Sequence, residues 1–201
     1  LKRIAPKVQA RVKATPASMR YVDQALLGTA KIGTMAWRMV DFPLDQVHIP
    51  RRLARVARAG RFRIEVDRAF VEVMRACAAD ERDREDPGTW IDDEIIESYT
   101  ALHEAGIAHS VETWIDDRLV GGLYGVALGG AFFGESMFHH ETDASKVALV
   151  ALVERLRSRG YRLLDTQWVT PHLEQFGAVE IPRADYLRRL EQSLTLDCTF
   201  T

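Results

Sequence analysis

Apolar positions recur along this chain at two periods, and the switches between them mark out its elements. From Leu119 to Leu128 and from Ala131 to Phe138 two β-rich runs flank Gly129-Gly130, a pair of residues that tolerates the positive φ of a two-residue hairpin turn. A strand from His109 to Ile115 feeds this hairpin through a turn at Asp116-Asp117. Before it, the pattern predicts a strand from Arg61 to Val66, Asp67 as an N-cap, and a helix to about Ala79 with Phe70, Val73, Met74 and Cys77 inward. A charged loop, Asp80 to Gly88, leads to a second helix capped by Asp92 or Asp93, with Ile95, Ile96, Tyr99 and Leu102 at helical spacing and Gly106 as its C′ stop. A third helix runs from about Asp143 to Arg159 and ends at Gly160; the strand LLDTQWV follows, then a last helix opened by Pro182 at N1. Residues 1–45 lack a clear period and read as a weakly ordered arm with a short helix over Tyr21 to Ala30. Antiparallel strands followed by a helix and a further strand predict an α+β protein, a mixed, largely antiparallel sheet flanked by helices.

Strand parity then sorts the polar residues. Period two places Phe133, Glu135, Met137 and His139 on one face, so that an acid sits between apolar neighbours, a setting that raises a carboxyl pKa. The same rule puts Asp165 and Gln167 on one face of the later strand, with Leu164, Thr166 and Trp168 on the other.

At 201 residues and 47% hydrophobic content the chain can bury a sizeable core. No apolar run approaches the roughly 20 residues of a membrane span, and the basic start is not followed by an apolar signal core, so the cytoplasm and no membrane partner are expected. Cys77 and Cys198 are too few and too far apart to form a disulfide framework. The net charge of −2 hides a segregation. Residues 1–64 hold 14 Lys/Arg against 3 Asp/Glu, a formal +11, which leaves 13 of the 27 cations and 26 of the 29 acids, a formal −13, for residues 65–201. Clustered cations on an acidic body suit a polyanion, because neutralising phosphates releases counterions. The centre of the basic segment is RRLARVARAGRFR, where a helix would align Arg51, Arg55 and Arg58 on one stripe and leave Leu53, Val56 and Ala57 to pack. Taken alone, such a stripe reads first as the solvated face of an amphipathic helix, and it is the charge segregation that turns it toward a polyanion.

Seven strings, in order, carry a resemblance. They are GTWI (Gly88 to Ile91), HEAGIAHSVETW (His103 to Trp114), GGLYGVALG (Gly121 to Gly129), GESMF (Gly134 to Phe138), DASK (Asp143 to Lys146), LLDTQ (Leu163 to Gln167) and GAVEIPRADYL (Gly177 to Leu187). The chain resembles the leucyl/phenylalanyl-tRNA protein transferases over roughly Arg51 to Leu190. The resemblance implies an acetyltransferase-like (GNAT) catalytic domain over residues 46–201 behind a small basic N-terminal region, residues 1–45. It implies transfer of leucine or phenylalanine, with methionine also fitting by size, from aminoacyl-tRNA to the α-amino group of proteins that begin with Arg or Lys, marking them for degradation. Asp165 and Gln167 match the family's proposed catalytic pair and Glu135 its other site acid. Asp165 could instead recognise the cationic side chain of the acceptor, and the sequence leaves both roles open. Leu123, Phe132, Leu149, Leu152, Leu156 and Leu164 are the candidates for its apolar side-chain pocket, Trp90 for the aromatic that meets the tRNA 3′-adenosine, and Arg51, Arg55 and Arg58 for tRNA contact. Two elements usual in the family, an aromatic Gly-Ile/Leu-Phe-Pro-Trp string near the N-terminus and a Trp-Pro element near the C-terminus, have no counterpart in this sequence.

An aminoacyl ester is already activated, so aminolysis asks for alignment, one proton transfer and oxyanion stabilisation, and for no cofactor or metal. The sequence holds no Walker A loop, no Gly-x-Ser-x-Gly elbow and no Cys/His grouping at zinc spacing. A CoA-dependent acetyltransferase of the same fold is the first alternative, but its Gln/Arg-x-x-Gly-x-Gly/Ala loop does not occur. A non-catalytic RNA-binding module would use the basic segment and leave Asp165, Gln167 and Glu135 without a role.

Overall fold

The computed structural model describes residues 38–79, 91–166 and 171–201. Within them seven strands and six helices follow in this order: β1 Arg38–Asp41, α1 Arg51–Arg58, β2 Arg63–Val66, α2 Phe70–Ala79, α3 Asp93–Glu104, β3 Ala108–Ile115, β4 Arg118–Leu128, β5 Ala131–His139, α4 Ala144–Ser158, β6 Leu163–Asp165, α5 Pro171–Glu174, β7 Val179–Pro182 and α6 Arg183–Leu194. Strands β2 to β6 form one sheet in sequence order, antiparallel except for the parallel β5–β6 pair, and β1 pairs with β7 in a second, two-stranded sheet. The architecture is α+β, with a mixed, mostly antiparallel sheet flanked by helices.

Each face of the main sheet buries its own layer. Helices α2, α3 and α6 cover one face over Phe70, Met74, Tyr99, Tyr124, Phe133 and Tyr186. Helices α1, α4 and α5 cover the other over Leu53, Leu123, Phe132, Leu152, Leu164 and Phe176. Glycines let the second layer close on the strands: a side chain at Gly121 would begin 2.6 Å from Ala144 Cβ at the start of α4.

The termini follow local chemistry. Asp92 accepts the Ile95 N–H at 2.8 Å and caps α3. Gly106, at φ 70°, ends that helix in a Schellman closure, with Gly106 N bonded to His103 O and Ile107 N to Leu102 O. Gly129, at φ 57°, makes the expected hairpin turn between β4 and β5.

Several expectations need correction. Asp67 does not cap α2: it turns at φ 59° and accepts instead from His109 Nδ1 at 2.7 Å and Ser110 N at 2.8 Å. The start of α2 is held by buried Glu112, which accepts the N–H groups of Arg68 and Ala69 at 3.0 and 2.9 Å, the Ser110 hydroxyl and the Trp114 indole N–H. Pro182 occupies the position before α6 rather than its first turn, because it also closes β7. Strand β1, helix α5 and strand β7 are additional to the elements the pattern predicts; each is four residues long, too short for a period to register. The short helix over Tyr21 to Ala30 and the Asp80 to Gly88 loop lie outside the described residues.

The larger correction concerns parity. Phe133, Glu135, Met137 and His139 do not share a face, because the β4–β5 register shifts between Tyr124 and Gly125: Tyr124 pairs with Ser136 and Gly125 with Gly134, leaving Glu135 as the extra residue of a β-bulge. Phe133 accordingly packs with α2 and α3, whereas Met137 packs toward α4. Gly125 permits the bulge, since a side chain there would begin 2.3 Å from Phe133 O.

Candidate active site

Asp165 is delivered by β6, whose three residues alternate between the two layers: Leu163 to the α2/α3/α6 side, Leu164 to the α4 side, and Asp165 back to the first, opposite Phe133. Its carboxylate is buried, at 1% exposure, and accepts a hydrogen bond on Oδ2 from the hydroxyl of Tyr186, equally buried on α6. Strand β6 covers Leu163–Asp165, and Gln167, with the face expected to be shared by Asp165 and Gln167, lies outside the described residues.

Glu135 enters from the neighbouring strand, two residues beyond the Phe133 that pairs with Asp165. As the bulged residue it is released from the alternation of β5, and its charge acts on Tyr124 across the β4–β5 pair. The Tyr124 phenol is fully buried between Phe70 and Tyr99, both edge-on to it, and its hydroxyl makes no hydrogen bond among the described residues. Burial, and after it the charge of Glu135, pushes its pKa well above the ordinary 10.0, so it stays a neutral donor. One end of the α2/α3/α6 layer therefore gathers Asp165, Tyr186, Glu135 and Tyr124. Two carboxyl groups in an apolar layer suit an amine or another proton-bearing cationic group, and a buried carboxylate can take or hold a proton there.

The six pocket candidates fall on the other face. Leu123 of β4, Phe132 of β5, Leu149, Leu152 and Leu156 of α4, and Leu164 of β6 belong to one cluster and are 0–3% exposed. The structure brings them together as a closed layer between α4 and the sheet. Trp90 lies outside the described residues. Arg51, Arg55 and Arg58 are exposed along α1 while Leu53 is buried beneath them, as the helical stripe requires. Among the described residues none of the three makes an ion pair, whereas Arg52 binds Asp143 at 2.7 Å and Arg61 binds Glu141 at 2.7 Å. Arg52 and Asp143 thus anchor the cationic helix to the start of α4.

Sequence reasoning misses Tyr186 and Tyr124. The inward stripe of α6, Tyr186, Leu190 and Ser193, is a helical signal of burial, but nothing in it marks one hydroxyl as the partner of a carboxylate 21 residues earlier. Among the described residues no group of three or more His, Cys, Asp or Glu side chains could hold a metal ion, and no helix is long and apolar enough to cross a membrane.

Against known proteins, residues 42–191 match the family model described as leucyl/phenylalanyl-tRNA protein transferase. The chain is 57% identical over 159 residues to a leucyl/phenylalanyl-tRNA–protein transferase of Gloeobacter violaceus, covering 79% of each chain. It is 58% identical over 158 residues to the protein of that name in Rubrobacter xylanophilus (78% of this chain, 80% of that one) and 59% identical over 152 residues to the one in Paramagnetospirillum magneticum (76% and 72%). Among solved structures it is similar to L-PGS from Bacillus licheniformis at a TM-score of 0.46 and 10% identity, over 78% of this chain and 64% of that one, a likeness too weak to carry an argument.

Proposed function

The chain belongs to the leucyl/phenylalanyl-tRNA protein transferase family, and on that premise we propose that it transfers leucine or phenylalanine from aminoacyl-tRNA to the N-terminal amino group of proteins. The observation that carries the chemistry is the buried Asp165 carboxylate, held by Tyr186 at the end of β6 with Glu135 on the adjoining strand. In the reaction the amine nitrogen attacks the ester carbonyl, the bond to the terminal ribose oxygen breaks, and the proton lost by the amine ends on that oxygen. An anionic, water-poor site favours this by holding the amine in line and carrying its proton, with no covalent intermediate.

In this reading Asp165 and Gln167 align the amine and Glu135 supplies the second acid. The cationic first residue of the acceptor, Arg or Lys, is drawn by the same carboxylates. Leu123, Phe132, Leu149, Leu152, Leu156 and Leu164 select leucine, phenylalanine or methionine from between α4 and the sheet, which asks that closed layer to part near the β5 bulge and the end of β6. Trp90 stacks on the terminal adenosine, and Arg51, Arg55 and Arg58 neutralise tRNA phosphates. The acetyltransferase-like (GNAT) form of the domain belongs to the same proposal, supported by the parallel β5–β6 pair beside an antiparallel meander. So does a division into a basic N-terminal region and a catalytic body; because β1 pairs with β7 and Phe42 is buried against Leu164, we place the boundary before Arg38 rather than at residue 45. The cytoplasm, where charged tRNA is found, is the proposed setting.

The test is direct. Incubated with leucyl-tRNA and a peptide beginning with Arg, the protein should yield the peptide extended by one leucine, and no product from the same peptide with its amino group acetylated. Failure to extend the free peptide, with turnover of acetyl-CoA instead, would replace this reading by the acetyltransferase one.

A further inference from the structure

We propose that Tyr186 is a positioning residue for transfer, its hydroxyl fixing the direction of the Asp165 carboxylate; the inference rests on the reading of Asp165 as part of the transfer site. Asp165 and Tyr186 are each 1% exposed, and Oη donates to Oδ2. A carboxylate withdrawn from water to that degree stays ionised only where donors replace its hydration. A phenol suits this role because it gives one directional hydrogen bond, carries no charge of its own and sits on a stiff ring.

Packing alone does not explain a tyrosine here. Residue 186 belongs to the apolar layer that includes Phe133, Leu163 and Leu190, and a phenylalanine would fill the same volume in it. The hydroxyl adds a bond to Asp165 and little apolar contact. The backbone supplies the complementary reason. The ladder between β5 and β6 has its last pair at Phe133 and Asp165, and Thr166 is no longer part of the strand. A side-chain tie from α6 to Asp165 orients the carboxylate at the point where the sheet ceases to do so. The tie reaches across 21 residues to a helix whose start is set by Pro182 and the β1–β7 sheet, which makes those elements the outer support of the site.

The test is a double-mutant cycle on steady-state transfer from leucyl-tRNA to the Arg peptide. Tyr186→Phe should lower kcat about tenfold with KM for both substrates within about twofold, as expected when a bond to a charged group that acts after binding is removed. In an Asp165→Asn background the same change should alter kcat less than about twofold, because the two residues act as one unit. Equal factors in both backgrounds, wild-type kcat for Tyr186→Phe, or loss of its folded thermal transition would each assign the hydroxyl to the fold alone and overturn the proposal. A wild-type protein that transfers nothing would instead overturn the functional reading, and an Asp165→Asn protein at full rate would remove Asp165 from the site.

Discussion

The two faces of the central sheet bury similar numbers of large side chains and do different things with them. On the α4 face leucines, valines and phenylalanines make up most of a layer that holds no buried carboxylate beneath α4. On the α2/α3/α6 face the same kind of layer is interrupted at one end by Asp165, Tyr186, Glu135 and the Tyr124 hydroxyl. A dry layer contributes stability roughly in proportion to the apolar area it removes from water. Buried carboxylates cost stability unless they are bonded, as Glu112 is at the start of α2 and Asp165 is by Tyr186. In the proposed reading the sheet separates a face that selects the transferred side chain from a face that handles the amine, and substitutions on the two should fail differently.

The largest expected effect is on rate. Asp165→Asn, which keeps volume and can still meet Tyr186, should lower transfer by about 10²–10⁴ with the thermal transition nearly unmoved, and Gln167→Ala should do the same. Transfer at the wild-type rate in a folded variant would dissolve the distinction between the faces. On the dry face Leu152→Ala should cost about 2–5 kcal/mol in urea denaturation, the usual range for a leucine truncated in a closed core. The same variant sharpens the comparison, because enlarging the layer next to β5 should raise use of phenylalanyl-tRNA relative to leucyl-tRNA. A destabilised variant with an unchanged ratio would confine Leu152 to stability.

Smaller effects are expected outside the sheet. Replacing Arg51, Arg55 and Arg58 by Gln should weaken tRNA binding and flatten its log–log salt dependence by about one unit for each phosphate no longer neutralised. An unaltered slope would return the α1 stripe to an ordinary solvated face. Smallest is the tie that seats α1. Burial alone would raise the Asp143 pKa, but the hydrogen bond and charge of Arg52, with Lys146, hold it below the ordinary 3.8. A carboxyl depressed in the folded state stabilises above its unfolded pKa, and that gain disappears as pH falls through the folded value. Asp143→Asn should therefore cost about 1 kcal/mol at pH 7, and the difference from wild type should shrink steadily as acid unfolding is approached below about pH 4. A pH-independent difference would mean that Asp143 acts through packing.

What the sequence makes legible follows from the range of the interactions involved. Helices α2, α3 and α4 and the Gly129 hairpin are local events, written in periodicity, in Asp92 and in glycines at positive φ, and they are where the pattern places them. Glu135 is found on the expected strand but with the wrong neighbours, because one inserted residue reverses parity and is visible only once β4 is paired with β5. The same holds for Glu112, which holds the start of α2 from a different strand while the nearer Asp67 serves His109. Asp165 is legible through resemblance; its burial and its bond to Tyr186 depend on α6 arriving from 21 residues away. Charge segregation identifies α1 as a cationic surface, and the absence of ion pairs at Arg51, Arg55 and Arg58 among the described residues is a fact of the fold alone.

The most direct test of where the reacting ester sits is photo-crosslinking from tRNA charged with a diazirine analogue of leucine, followed by mass-spectrometric mapping of the labelled peptide. With the leucine side chain between α4 and the sheet and its ester beside the β5 bulge and the end of β6, label should appear within Leu149 to Leu156, Ala131 to Phe138 or Leu163 to Gln167, and should diminish when unmodified leucyl-tRNA competes. Label confined to a distant surface, such as the cleft lined by Arg189, Gln192 and Leu196 at the end of α6, would contradict the assignment of Asp165 and Glu135 to the transfer site.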